Sequence, residues 1–224
     1  MAYTNQSIHS ECSNLCHRLL LTTAQLSTSP ALFLDRDGVI IEDVHYISNP
    51  DQVILCKGAS KLISIAHTMK WPVIVITNQS GIARGFFKWD DYKSVNDRMQ
   101  NLLGGEAPLS AIYACGHGPD APKDSWRKPS PLMLLDASKV LNLDLQNSIL
   151  IGDRLSDLQA GAAAGLKIVF HVLSGHGQSA RKSVLNWHEQ SVHANLDRAP
   201  SLGLLESLNS FPYELLSVSH LQTG

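Results

Sequence analysis

Short apolar runs alternate with longer amphipathic segments along most of the chain. The apolar runs predict five strands, at residues 31–34, 73–76, 109–114, 149–151 and 167–172. The segments between them have the spacing of amphipathic helices, at residues 58–70, 89–103, 131–141 and 156–164. Strands that exchange with helices in this way are typical of an α/β fold, in which a mostly parallel sheet carries helices on both faces.

The two ends of the chain lack this alternation. Residues 1–30 are rich in Ser, Thr and Asn and predict a polar leader that is peripheral to any chemistry. Residues 174–195 predict a loop and a short helix, and residues 202–208 are expected to pack outside the sheet. We therefore expect a single domain at residues 31–224, preceded by the leader.

Composition and charge narrow the possible functions. Of the 224 residues, 44% are hydrophobic and 17% are charged, which predicts a folded core. The formal charge of −2 argues against a polycation that binds nucleic acid. The four cysteines are irregularly spaced, and the sequence has no convincing secretory signal and no apolar run of about 18 residues. These features favour a cytoplasmic protein without membrane or nucleic-acid partners, and a monomer is the favoured state.

Polar residues follow three of the predicted strands directly. The first apolar run ends in Asp35-Arg36-Asp37-Gly38 and the second in Thr77-Asn78-Gln79-Ser80-Gly81. The fourth ends in Gly152-Asp153-Arg154-Leu155-Ser156-Asp157. The carboxyl ends of parallel strands share one edge of the sheet, where ligands bind. We therefore expect these side chains to converge from distant parts of the sequence.

The chemistry of this cluster points to a metal ion and a phosphate group. Clustered carboxylates repel one another unless a cation lies between them, and oxygen ligands favour Mg²⁺. Thr77 and Asn78 supply hydrogen-bond donors for phosphate oxygens, and Lys128 supplies a positive charge. The glycine-rich phosphate-binding motif of ATP-driven enzymes is absent from the sequence, which argues against a nucleotide-dependent transferase.

These motifs resemble those of the haloacid dehalogenase (HAD) superfamily of aspartate-nucleophile phosphatases. The superfamily carries Asp-x-Asp-Gly, a Thr or Ser at a strand end, a Lys, and Gly-Asp-x-x-x-Asp. Here the four motifs stand at residues 35–38, Thr77, Lys128 and residues 152–157, in the same order. The resemblance implies a Rossmann-like parallel sheet. Only 39 residues lie between Asp37 and Thr77, which leaves no room for a large cap domain.

The resemblance also implies a role for each motif residue. Asp35 would be the nucleophile, and Asp37 would be the general acid and base. Mg²⁺ would be held by the side chains of Asp35 and Asp153 and by the backbone carbonyl of Asp37. Asp157 would orient its neighbours without ligating the metal. Thr77 and Lys128 would grip the transferring phosphate together with Asn78.

The sequence around the motifs is similar to the heptose-bisphosphate phosphatase branch of that superfamily. Residues 80–85 and Arg127-Lys128-Pro129 carry this resemblance. It implies a small phosphorylated sugar as substrate, with Arg127 on its second phosphate. By the same resemblance, further residues would line the sugar pocket: Asp43, Tyr46, Gln79, Ser80 and Arg154.

Two other functions stay open at this point. One is the hydrolysis of histidinol phosphate or of a broad set of sugar phosphates. The other is a phosphosugar-binding scaffold without activity, which would normally have lost Asp35 or Asp37. Both aspartates are present.

One loop departs from the pattern of the heptose and histidinol phosphatases. In that pattern Cys-x-His is followed by Cys-x-Cys, a set of four zinc ligands. This chain keeps Cys115 and His117, but Asp124-Ser125-Trp126 stands where the second pair is expected. The prediction is therefore no stoichiometric zinc, because the loop offers only a partial pair.

Cys12, Cys16 and His17 in the leader could form a metal clip, but no fourth ligand is evident and the site is discounted. The histidines His45, His171 and His176 have no partner spacing that indicates a metal site or a catalytic dyad.

Overall fold

A single mixed sheet forms the centre of the protein. The computed structural model describes residues 9–13, 15–23, 27–194 and 199–217. In these ranges eight strands form one sheet in the order β1-β2-β5-β4-β3-β6-β7-β8. The strands are β1 His9–Ser13, β2 Cys16–Leu20, β3 Leu32–Leu34, β4 Val73–Asn78, β5 Ala111–Cys115, β6 Ile149–Gly152, β7 Ile168–Val172 and β8 Ser201–Leu205. The run from β5 to β8 is parallel, and β1 and β2 are antiparallel.

Helices cover both faces of this sheet. They are α1 Ala59–Thr68, α2 Trp89–Leu103, α3 Leu132–Leu141, α4 Leu155–Ala163 and α5 Gly177–Ala194. Leu32 and Leu34 pack into the core layer under α1 and α2, whereas Phe33 between them packs into the layer under α3, α4 and α5. Successive side chains of a strand point to opposite faces, so this central strand is buried on both sides. The predicted α/β fold is confirmed.

The beginning of the chain differs from the predicted peripheral leader. β1 and β2 form an antiparallel hairpin, and β2 pairs with β5 in a register that sets Cys16 opposite Cys115 and Leu20 opposite Ala111. Leu20 is buried in the core layer under α3. The sequence analysis did not predict these two strands, because main-chain pairing beside β5 stabilises them and their polar side chains carry little signal of it. Residues 1–8, 14 and 24–26 lie outside the described ranges.

The end of the chain also differs from the sequence prediction. α5 is an 18-residue helix and not a short one. β8 is a strand of the sheet, parallel to β7, and does not pack outside it. Its Gly203 lies against the ring of Phe170, where a Cβ atom would collide. The burial of β8 is uneven because it is the last strand of the sheet, so its pattern lacks the continuous apolar run of the inner strands.

The carboxyl ends of β3, β4 and β6 meet at one edge. β3 lies between β4 and β6 and pairs in parallel with both. Between Asp37 and Thr77 the described chain holds a short 3-10 helix, Pro50–Gln52, and α1, but no inserted domain. The edge is therefore bordered by loops. None of the helices in the described ranges is long and apolar enough to cross a membrane.

Candidate active site

Three carboxylates meet at this edge of the sheet. Asp35 follows β3, Asp153 follows β6, and Asp157 lies in the first turn of α4. One oxygen from each lies within 4.8 Å of the others. The side chains are buried, with residue exposures of 6%, 0% and 1% respectively. Segments more than a hundred residues apart in sequence thus converge as predicted.

The burial and mutual repulsion of these groups perturb their acidity. Burial raises the pKa of Asp35 to about 7, with contributions from Asp157 and Asp37, although Lys128 opposes the shift. Burial also raises the pKa of Asp153 to about 8, and the charges of Asp35 and Asp157 add to it. Asp153 Oδ1 is buried and has no hydrogen-bond partner within the described residues. A hard divalent cation would satisfy this oxygen and neutralise the cluster, so the donor set fits Mg²⁺.

These pKa shifts predict a pH-dependent stability. A carboxyl group whose pKa is raised by folding binds its proton more tightly in the folded state. Metal-free protein should therefore lose stability as pH rises from the ordinary Asp value of 3.8 through about 7 and about 8. We expect Mg²⁺ to raise the thermal midpoint more at about pH 8 than at about pH 5, because the metal competes with protons for the same oxygens. Calorimetry with and without Mg²⁺ measures both effects, and an equal Mg²⁺ effect at the two pH values would contradict the prediction.

Lys128 is buried beneath the carboxylates. Its Nζ lies 3.0 Å from Asp35 Oδ1 and 2.7 Å from Asp157 Oδ1, and it donates to the Ile76 carbonyl at 2.8 Å. Burial alone lowers the pKa of Lys128, but Asp157 and Asp35 raise it above its ordinary value. The ammonium is thus held in its charged form beside the predicted nucleophile. Asp157 also accepts the backbone N–H of Arg154 at 2.9 Å, which fits its predicted orienting role.

A buried arginine that sequence reasoning missed holds Asp37. Arg36 is 1% exposed and its Nε and Nη2 donate to the two oxygens of Asp37 at 3.2 and 3.1 Å. Its Nη1 donates to Asn96 at 2.9 Å, and its guanidinium lies 5.1 Å from the ring centre of Tyr92. α2 thus supports the Asp-x-Asp turn from behind. Position 36 is the variable position of the Asp-x-Asp-Gly motif. The only sequence signal for the role of Arg36 was therefore a charged residue directly after a buried strand.

Asn78 and Gln79 make contacts that differ from those predicted. The Asn78 side chain accepts the Lys128 N–H at 3.0 Å and donates to the Lys128 carbonyl at 3.1 Å. The Gln79 Nε2 donates to Asp37 Oδ2 and to Thr77 Oγ1, both at 2.8 Å. Asn78 therefore positions the Lys128 backbone, and Gln79 joins two motif residues. Their amide groups organise the site and are largely occupied by protein partners.

A cavity of about 410 Å³ opens above these groups. It is lined by every predicted catalytic and substrate-binding residue, and by Asp157: Asp35, Asp37, Asp43, Tyr46, Thr77, Asn78, Gln79, Ser80, Arg127, Lys128, Arg154 and Asp157. Arg84 is a further lining residue, and its Nη1 donates to the Tyr46 hydroxyl at 2.8 Å. Arg84, Arg127 and Arg154 thus line the wall of a cavity with carboxylates at its base, an arrangement suited to a small multiply charged anion.

Proteins similar to this chain identify its family. Residues 125–199 match the family model described as "HAD-hyrolase-like". The D-glycero-alpha-D-manno-heptose-1,7-bisphosphate 7-phosphatase of Burkholderia mallei is 39% identical over 143 residues, which are 61% of this chain and 76% of that protein. The chain belongs to the HAD-like heptose-bisphosphate phosphatases.

Two further members of the heptose-bisphosphate phosphatase family extend the comparison. The D-glycero-beta-D-manno-heptose-1,7-bisphosphate 7-phosphatase of Mesorhizobium japonicum is 47% identical over 144 residues, 61% of this chain and 66% of that one. The crystal structure of D,D-heptose 1,7-bisphosphate phosphatase from B. bronchiseptica, complexed with magnesium and phosphate, has a TM-score of 0.67 and 31% identity. That likeness covers 80% of this chain and 93% of that one. The predicted resemblance is confirmed.

In this member of the heptose-bisphosphate phosphatase family, His176 links the carboxylate cluster to the outer part of the cavity. The backbone N–H of His176 donates to Asp153 Oδ2 at 2.7 Å, and its Nε2 lies 2.8 Å from Asp43 Oδ2. His171 lies beneath, with Nε2 at 3.0 Å from the Asp153 carbonyl. Neither histidine has a motif spacing, because His171 in β7 and His176 in the loop after it reach the site only through the fold. Both contact functional residues, which the sequence had not indicated.

Proposed function

We propose that the protein is a Mg²⁺-dependent phosphatase that removes the 7-phosphate of D-glycero-D-manno-heptose 1,7-bisphosphate. One observation carries the proposal. The Asp35 carboxylate lies 3.0 Å from the Lys128 ammonium at the base of a cavity lined by Arg84, Arg127 and Arg154. A nucleophile at the base and several cations around the wall suit a substrate with two phosphates. The identity of the proposed sugar, a heptose, is taken from the names of the relatives.

In the first step Asp35 attacks phosphorus. A bond forms between the Asp35 carboxylate oxygen and phosphorus, and the bond from phosphorus to the sugar oxygen breaks. Asp37 gives its proton to the departing oxygen, which leaves as an alcohol. The Asp35 carboxylate is oriented for this attack because its Oδ1 accepts the Arg36 N–H at 2.7 Å and contacts Lys128.

In the second step water hydrolyses the aspartyl phosphate. Asp37, now ionised, takes a proton from the water as its oxygen attacks phosphorus, and the bond to Asp35 breaks. Inorganic phosphate leaves and both aspartates return to their starting states. Arg36 donates hydrogen bonds to both carboxylate oxygens of Asp37. Before the first step Asp37 must therefore give up at least one of these hydrogen bonds and contact the substrate instead. Gln79 and Thr77 hold the carboxylate near the reacting groups during that exchange.

The metal would be held by the side chains of Asp35 and Asp153 and by the backbone carbonyl of Asp37. When bound, Mg²⁺ neutralises charge on the phosphate oxygens and on the carboxylate cluster. Lys128 adds positive charge beside Asp35 and separates it from Asp157. Gly38, at φ +82°, allows Asp153 to approach, because a Cβ atom there would lie 2.5 Å from Asp153 Oδ2.

Arg127 is expected to recognise the second phosphate. It lines the cavity, and its Nη1 donates to the His117 carbonyl at 3.0 Å, which holds the guanidinium at the wall. Losing a charge-assisted contact costs about 1.5–3 kcal/mol, so Arg127→Ala should lower kcat/KM for a sugar bisphosphate roughly ten- to hundredfold. A sugar monophosphate should lose much less. Steady-state kinetics on both substrates measures this, with the exposed Arg98→Ala as control; equal losses would assign Arg127 to loop structure alone.

The proposed function is tested by phosphate release from a substrate panel. The panel holds both anomers of the heptose 1,7-bisphosphate, fructose 1,6-bisphosphate and histidinol phosphate, each with and without Mg²⁺. We expect the highest kcat/KM on a heptose bisphosphate, a requirement for Mg²⁺, and loss of the 7-phosphate in the phosphorus NMR spectrum. Preference for histidinol phosphate, or release of the 1-phosphate, would overturn the assignment.

A further inference from the structure

A second group of metal-ligating side chains lies at the outer part of the cavity. Asp43, His45 and His176 line the cavity and each offers one ligand atom, and the three atoms lie within 4.8 Å of one another. His176 Nε2 lies 2.8 Å from Asp43 Oδ2, and His45 Nδ1 lies 4.0 Å from Asp43 Oδ1. We call these three residues the outer triad. Neither imidazole has a part in the proposed two-step reaction.

The main chain holds the outer triad in place from two loops. In the loop after β3, Asp43 Oδ1 accepts the backbone N–H of His45 at 2.9 Å, which closes a tight turn. His45 and Tyr46 have positive φ angles of 53° and 49°, a conformation that residues with side chains seldom adopt. In the loop after β7, the backbone N–H of His176 donates to Asp153 Oδ2 at 2.7 Å. The centres of the two imidazole rings thereby lie 5.8 Å apart.

The donor atoms of the outer triad differ from those of the carboxylate cluster. Carboxylates alone favour Mg²⁺, whereas two imidazoles and one carboxylate favour Zn²⁺ and other divalent transition metals. Zinc bond lengths of about 2.0–2.1 Å place neighbouring ligand atoms of a tetrahedral ion about 3.3 Å apart. The two distances from Asp43 lie on either side of this value. His45 can move to close the difference, because its side chain is 80% exposed, whereas that of Asp43 is only 11% exposed.

We propose that the outer triad binds one divalent transition-metal ion, with Zn²⁺ as the best chemical match. The three side chains would supply three ligands, and water would complete a tetrahedron. Such an open site exchanges its ion, unlike a closed site with four protein ligands. The proposed ion is separate from the Mg²⁺ at Asp35 and Asp153, and its binding does not depend on which phosphate ester the protein hydrolyses.

Arg154 would compete with the proposed ion. Its Nη2 lies 3.6 Å from Asp43 Oδ2, the oxygen that also faces His176 Nε2. Two positive charges beside one carboxylate repel each other, so binding of the ion would weaken the contact between Arg154 and Asp43. The half-exposed guanidinium would then be available to other anions in the cavity. Occupation of the outer triad would thus change the distribution of charge along the wall of the cavity.

Chemical modification of histidine in the unaltered full chain tests the proposal. Diethyl pyrocarbonate reacts with neutral imidazole, and peptide mapping measures the rate at each residue. His45 should react readily because it is exposed, and an ion on its Nδ1 should block the reaction by keeping the other nitrogen protonated. With saturating Mg²⁺ present throughout, Zn²⁺ at about ten times its dissociation constant should slow the modification of His45 roughly tenfold. His67, an exposed histidine of α1, is the control and should keep its rate.

Variants of the outer triad and of its neighbour locate the ion. His176→Ala removes one ligand but keeps the backbone N–H that contacts Asp153, so it should abolish the protection of His45 by Zn²⁺. Arg154→Ala removes the competing cation and should tighten Zn²⁺ binding about two- to fivefold. The proposal is overturned if Zn²⁺ leaves the modification of His45 unchanged in the unaltered protein, if the protection persists in His176→Ala, or if Mg²⁺ alone protects His45 equally. Unchanged Zn²⁺ affinity in Arg154→Ala would also contradict it, because the ion would then lie away from Asp43.

Discussion

Asp35→Asn should abolish phosphate release, with kcat lowered roughly 10⁴-fold or more, as in other covalent enzymes that lose their nucleophile. The amide cannot form the aspartyl phosphate, and no described neighbour can replace it, since Asp153 and Asp157 are held by His176 and Lys128. The protein should remain folded, because the change removes one of three mutually repelling carboxylates. Circular dichroism and phosphate release measure the two parts of this prediction.

Two controls sharpen the Asp35→Asn experiment. Glu106→Gln removes an exposed carboxylate that does not line the cavity and should leave turnover unchanged. Mass spectrometry must exclude deamidation, which would restore the nucleophilic carboxylate. Near-normal turnover in a variant verified to carry the amide at this position would rule out covalent catalysis through Asp35.

Lys128→Met should remove activity and also destabilise the fold. The substitution keeps much of the side-chain volume but leaves Asp35 and Asp157 buried without their shared cation. Breaking a buried ion pair in this way costs about 3–5 kcal/mol of unfolding free energy. Denaturant unfolding in the absence of Mg²⁺ measures the loss. Lys139→Met, at an exposed position of α3, is the control and should change stability little.

A double variant separates the stability effect of Lys128→Met from its effect on catalysis. Adding Asp157→Asn removes one of the uncompensated charges and should recover a large part of the lost stability. Activity should stay absent, because the reacting phosphate still lacks the ammonium beside Asp35. Recovery of turnover in the double variant would show that Lys128 serves only to offset Asp157.

The motif residues could be predicted because a simple rule places them. Asp35, Thr77 and Asp153 each lie at the carboxyl end of an inner parallel strand, and such ends meet at one edge of the sheet. The apolar sequences of those strands are continuous, since both faces are buried. Fold class and the centre of the site therefore followed from local patterns alone.

The remaining features depend on contacts that local patterns do not encode. β2 and β8 are stabilised by main-chain pairing beside an existing sheet, so their side chains carry little signal. His176 reaches Asp153 and Asp43 only because the loop after β7 turns over the edge of the sheet. Cys16 meets Cys115 only through strand register. Each of these juxtapositions requires the assembled tertiary structure.

The amino-terminal hairpin also has a consequence for the solubility of shortened versions of the protein. β5 is fully buried and apolar, and β2 occupies the side of it that faces away from β4. Removing β1 and β2 would leave a row of unpaired N–H and C=O groups beside exposed apolar side chains. Such a strand is a template for pairing with another molecule, which leads to aggregation. A truncated chain that begins at β3 would therefore keep its reacting groups, but it would expose the edge of β5 to pairing with other molecules.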